Sequence, residues 1–226
     1  MIIIGNGRLI TRNAAEPYYE NGAVVTENEL IKETGTTAEM RLKYPDAEFV
    51  DAKGGVIMPA FINAHTHIYS ALARGLSIAG YNPTNFYEVL DGMWWKIDRS
   101  LTLEDTRRSA YTTIIDCIKT GCTTIFDHHA SFCQIEGSLF AIADAAKALG
   151  IRACLCYEVS ERDGEKKCDE SIEENRSFID YCERENDPML KAMFGGHALF
   201  TIGDKTFKKC VKANGGRTGF HIHACE

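Results

Sequence analysis

The sequence contains no CxxC pair, although nine cysteines are spread along it. That absence removes the zinc-knuckle and dithiol-redox readings. A PCxxC segment is also missing, which excludes the zinc-dependent base deaminases that combine it with HxE. No basic cluster exceeds Lys166-Lys167 or Lys208-Lys209, and the formal net charge is −7. Nucleic acid is therefore not an expected partner, because neutralising phosphates requires a basic face. No apolar run is long enough to span a bilayer, and MIIIGNGRLI lacks the basic flank of a signal peptide. The expectation is a cytoplasmic protein with reduced thiols and no membrane partner. Cys154 and Cys156, in the apolar run ACLCY, read as small core residues. Low-complexity segments and short-period repeats are absent.

What is present is an ordinary globular composition. With 226 residues, 45% hydrophobic and 25% charged, the chain can bury a sizeable core. Residues 1–56 carry short β-type runs (MIII, RLIT, GAVVTE, AEFVDAKGGVIMP) broken by glycine turns. Asn6-Gly7 and Asn21-Gly22 suit tight hairpins, so a small antiparallel β unit is expected, sandwich-like in character. From residue 57 the rhythm changes. VIMPAFINAHTH, TTIFDHH, RACLCYEV, LKAMFGGHAL and GFHIHACE read as strands. Helices are expected near 84–98, 103–120, 135–150, 168–186 and 204–213. Strands alternating with helices indicate parallel βαβ units.

The histidines carry the chemistry. Residues i and i+2 of a strand share a face, so His65 and His67 point together and Thr66 points away. Two imidazoles so placed suit a divalent metal, but an HxH pair alone is a weak signal that also fits two hydrogen-bonded polar residues at a strand end. His221 and His223 repeat the pattern, His197 ends the preceding strand, and His128 and His129 end TTIFD. All seven histidines thus fall at C-terminal strand ends. In a parallel α/β barrel those ends converge on one rim, where active sites assemble. Glu226 follows His223 by three and reaches the same rim only if the chain turns after Cys225.

PAFINAHTH preceded by DAKGGVIM, then IYSALARG, CTTIFD, GGHALFT and HIHACE, resembles the amidohydrolase superfamily, in its deaminase and chlorohydrolase-like branch. The resemblance covers essentially the whole chain. It implies an α/β fold: a partial TIM (β/α)8-type barrel over 57–226, about five of eight strands, after the small β domain of 1–56. It further implies that His65, His67 and His223 are metal ligands, with Zn the expected divalent cation and Fe an alternative. Glu226 would be the proton shuttle, and His197 and His129 would meet the substrate, the motif leaving His128 open in place of His129. His221 would support the neighbouring ligand. Two residues depart from the pattern: Ala60 stands where the family has Gly, and Leu199 where relatives have Pro.

The family takes a further histidine and a metal-binding aspartate from strands beyond the fifth, so this chain resembles the N-terminal part of a longer enzyme. The implied activity is hydrolysis of a non-peptide C–N bond, with deamination of a purine- or pyrimidine-like amine. Dechlorination of a ring is the neighbouring alternative. A non-catalytic metal-binding half, completed by its missing C-terminal part or by a homo-oligomer, is the reading from another class.

Overall fold

Pro59 marks where one sheet ends and the next begins. Proline has no N–H for a ladder, and VIMPAFINAHTH, expected as one strand, breaks there. The computed structural model describes residues 1–224, and the chain divides after Ala60 into two compact units.

In the first unit, β1 (Ile2–Ile10), β2 (Tyr18–Glu27) and β3 (Leu30–Thr36) form an antiparallel meander. β4 (Glu48–Asp51) and β5 (Val56–Ile57) then add to β1 in parallel, so the sheet is mixed rather than purely antiparallel. Alternate residues of β1 are buried, and Ile3 packs with Ala23, Val25 and Met40. Met40 comes from α1 (Thr37–Lys43), a helix not expected from the sequence. Its start is written in Thr36-x-x-Glu39, a reciprocal capping box. The two Asn-Gly pairs are not hairpin tips. Gly7 faces Gly22 across the β1–β2 ladder at a register shift, and Asn6 has φ 57°. A Cβ on Gly7 would come within 2.8 Å of Ile57, so the glycines permit a close approach of strands. The turn between β2 and β3 falls instead at Asn28, whose φ is 54°.

The second unit begins with β6 (Phe61–Thr66). A short 3-10 helix follows at Ile68–Ala73, then a helical segment made of α2 (Phe86–Val89), a π turn (Leu90–Trp94) and α3 (Trp95–Asp98). Next come α4 (Leu103–Lys119), β7 (Cys122–His129), α5 (Ser138–Leu149), β8 (Arg152–Tyr157) and α6 (Gly164–Glu185). The segment LKAMFGGHAL is two strands, β9 (Leu190–Ala192) and β10 (Phe194–Ala198), followed by α7 (Asp204–Asn214) and β11 (Phe220–His223). β6, β7, β8 and β9 pair in parallel in that order, and β10 pairs in parallel with β11. The two ladders are joined where Met193 N–H donates to the Leu155 carbonyl (3.1 Å) and His197 N–H to that of Val159 (2.9 Å). This is five strand positions of a parallel barrel, each reached by a crossover.

Helices α4, α5 and α6 bury Ile114, Leu139, Ile142 and Phe178 against Ile125, Leu155 and Tyr157. Gly195 is required by packing: a Cβ there would collide with the Tyr157 carbonyl. Asn175 of α6 clamps that junction. Its Oδ1 accepts from Tyr157 N–H and Gly195 N–H, both at 3.0 Å, and its Nδ2 donates to the Tyr157 carbonyl at 2.8 Å. α5 starts at Gly137, which has no side chain to cap it. Glu174 does so from α6, accepting from Gly137 N–H and Leu139 N–H at 2.9 Å. Gly150 ends α5 in the left-handed region at φ 70°, as its position after the apolar run predicts. Among the described residues no helix is long and apolar enough to cross a membrane.

Candidate metal centre

β6 ends in His65-Thr66-His67, and alternation turns both imidazoles the same way. β11 brings His223 to them. The His65 and His67 Nε2 atoms are 3.2 Å apart, and His223 Nε2 lies 3.3 Å from that of His65. One ligand atom from each residue falls within 4.8 Å of the others.

The partner on the far side of His67 fixes its tautomer, and that of His65 is compatible with the same one. His67 Nδ1 lies 2.8 Å from the His128 carbonyl, which can only accept, so Nδ1 carries the proton and Nε2 a lone pair. His65 Nδ1 is 2.8 Å from His221 Nε2; with the proton on His65 Nδ1, its Nε2 is likewise an acceptor. Burial drives the rings toward the neutral form: His67 is lowered to about 4, His223 to about 3, and His65 is lowered as well. Neutral imidazoles aiming lone pairs at one another repel unless a cation sits between them. The spacing suits one. Zn–N bonds of about 2.05 Å in a tetrahedral centre put neighbouring nitrogens about 3.3 Å apart. The donor set thus fits a divalent metal, and the supported far nitrogens are those typical of ligating histidines.

A cavity of about 350 Å³ opens on these rings. Its walls are Tyr69, Phe86, Leu90 and Trp94 on the apolar side, and Glu158 and His197 on the polar side. A larger cavity of about 760 Å³, bordered by α5 and α6, is lined by carboxylates and lysine without an imidazole, so it is set apart from this chemistry.

The remaining expected residues divide. His197 reaches the cavity and holds Thr201 Oγ1 at 2.8 Å through Nδ1. His221 contacts His65, as described above. His129, expected to meet the substrate, does not line the cavity. It is fully buried, with Nε2 3.0 Å from Ser131 Oγ and its ring packed on Tyr69 and Tyr157. Adjacent strand residues face opposite ways, so His128 instead turns to the histidine cluster, its ring centroid 4.4 Å from that of His223. Glu226 lies outside the described residues.

Sequence reasoning missed four acidic and basic residues. Glu158 directly follows the apolar strand β8, at the C-terminal end where the histidines also gather, and that position was the available signal. Asp127 is fully buried, and its Oδ1 accepts from Ile68 N–H at 2.7 Å, which fixes the chain leaving His67. Burial pushes its carboxyl up to about 7. Arg162 forks onto both oxygens of Asp98 and reaches Glu158 Oε1 at 3.1 Å, while its guanidinium stacks 4.0 Å above the Phe132 ring. Burial alone would raise the Glu158 carboxyl, but His197, His128 and Arg162 outweigh it and hold the group ionised.

Arg162→Ala leaves two buried carboxylates without their cation. The expected cost is about 3–5 kcal/mol, read as a lower urea midpoint at unchanged slope. A loss below about 1 kcal/mol, the scale of a surface pair, would contradict this role.

The comparisons with known proteins agree with this geometry. The Amidohydrolase family matches residues 56–226, and an imidazolonepropionase-like composite domain of bacteria matches residues 22–47. The 5'-deoxyadenosine deaminase of Methanosarcina barkeri is 30% identical over 226 residues, which are 100% of this chain and 49% of that protein. The 5-methylthioadenosine/S-adenosylhomocysteine deaminase of Syntrophomonas wolfei is 28% identical over 229 residues, again 100% and 49%. A crystal structure of an adenosine deaminase from Xanthomonas campestris with bound zinc superposes with TM-score 0.76 at 19% identity, over 98% of this chain and 48% of that one. The chain spans about half the length of the curated relatives it matches. The family match over three-quarters of the residues, with a parallel barrel rim that gathers its histidines, leads to one conclusion: the chain belongs to the amidohydrolase family.

Proposed function

We propose that the complete protein is a metal-dependent aminohydrolase that deaminates a purine- or pyrimidine-like amine. The observation carrying this reading is the convergence of three imidazole nitrogens, that of His67 with its lone pair fixed inward, on an aromatic-walled cavity. The relatives named as nucleoside deaminases supply the substrate class.

In this reading His65, His67 and His223 hold the cation, zinc in the first instance. A divalent metal there would act as a Lewis acid and bring the pKa of a water toward neutrality. The chain's own groups do the rest. His221 and the His128 carbonyl keep the ligand rings oriented. Tyr69 and Trp94, whose rings meet edge to face at 6.3 Å, offer a flat heterocycle an apolar wall. His197 contacts the ring, and Glu226 carries a proton to the departing amine, which leaves as ammonia.

Ammonia release by the full-length, zinc-loaded protein tests this directly. Across aminopurines, aminopyrimidines and guanidine-type compounds, at least one is expected to release ammonia in a chelator-sensitive manner. No ammonia from any, or chloride release from chlorinated rings alone, would overturn the deaminase reading.

A further inference from the structure

Glu158 is the only acid among the described residues lining the histidine cavity. It is 2% exposed, so its carboxylate faces only protein and whatever occupies that space. A carboxylate accepts and never donates, and its two oxygens offer about four lone-pair directions. Oε1 receives one bond, from Arg162 Nη2 at 3.1 Å, and Oε2 lies 3.6 Å from His128 Nδ1. Capacity to accept remains on both oxygens. Nor is the charge cancelled one-to-one, because Arg162 also serves both oxygens of Asp98. These partners hold Glu158 in place from behind, leaving a rigid acceptor beside an apolar, aromatic wall.

We propose that Glu158 is a specificity residue, and that it selects planar ligands whose edge presents adjacent N–H donors. Amidines and guanidine-type ring edges have that pattern, and guanine presents it at N1 and the 2-amino group. An adenine ring presents an acceptor at N1 and is disfavoured. A ligand carboxylate would meet like charge in a place with little water. The proposal deepens the preceding reading, on which it rests for where a ligand sits. It takes nothing from the reaction itself: charge-assisted hydrogen bonds are about twice as strong as neutral ones and act on any bound ring.

The test uses zinc-loaded full-length protein and three ring-matched probes, benzamidine, benzamide and benzoate, with binding read by calorimetry. Benzamidine is expected to bind well above benzoate, and Glu158→Gln to weaken benzamidine about tenfold or more while leaving benzamide nearly unchanged. The ratio of kcat/KM for guanine over adenine falls in the same variant. Equal binding of benzamidine and benzoate to the unaltered protein, or benzamidine affinity in Glu158→Gln within about twofold of wild type, would overturn the proposal. If Glu158→Gln does not fold, the wild-type comparison of probes and Glu158→Asp, which keeps the charge, decide it. Failure to deaminate any ring defeats the aminohydrolase reading alone, since the binding arm needs no turnover.

Discussion

Replacing His65 and His67 together by alanine is expected to remove the metal from the full-length protein, taking zinc from about one equivalent per chain to below about a tenth. The two residues supply two of three nitrogens that lie 3.2 and 3.3 Å apart. Of the three described imidazoles only His223 then remains, and with two donors gone the ligands expected from later strands cannot hold a divalent ion at micromolar concentration, because structural zinc affinity of order 10–16 kcal/mol is shared over the full ligand set. Turnover is lost with the metal. The fold is expected to survive: His65 is exposed and His67 half-buried, so truncation opens no large cavity. Elemental analysis with circular dichroism separates the two effects. A folded double variant that retains stoichiometric zinc would contradict the ligand assignment.

Glu226→Gln should divide the chemistry from the metal. The amide keeps the size and loses the proton, so zinc content stays near that of the wild type while kcat falls about 10²–10⁴-fold, the usual worth of a general acid–base group. Single-turnover ammonia release measures it. A kcat within about threefold of wild type, with zinc bound, would take Glu226 out of the reaction.

The strand and helix rhythm beyond residue 57 was legible because a parallel barrel buries its strands as apolar runs and its helices as amphipathic stripes. The histidines were legible for the same reason. Each interrupts an apolar run at its C-terminal end, where a polar side chain needs a purpose. Other features depend on contacts that sequence spacing does not encode. Arg162 meets Asp98 across 64 residues, so the charged cluster behind Glu158 leaves no local pattern. The aromatic wall from Tyr69 to Trp94 lies on a 3-10 helix, a π turn and short α-helices, which carry no single period. His128 and His129 are equivalent in the sequence, and only the strand's facing separates the one near the histidine cluster from the one packed on Tyr157. Asn6-Gly7 and Asn21-Gly22 have hairpin composition, yet they serve a strand crossing in which Gly7 and Gly22 face each other. Thr36-x-x-Glu39 was the one local signal that could have disclosed α1.

The most direct measurement is zinc-edge anomalous scattering from crystals of the full-length protein carrying one equivalent of zinc. The account predicts a single strong peak about 2.0–2.1 Å from Nε2 of His65, His67 and His223. A peak coordinated by other residues, with these three rings well ordered and bonded only to one another, would contradict it.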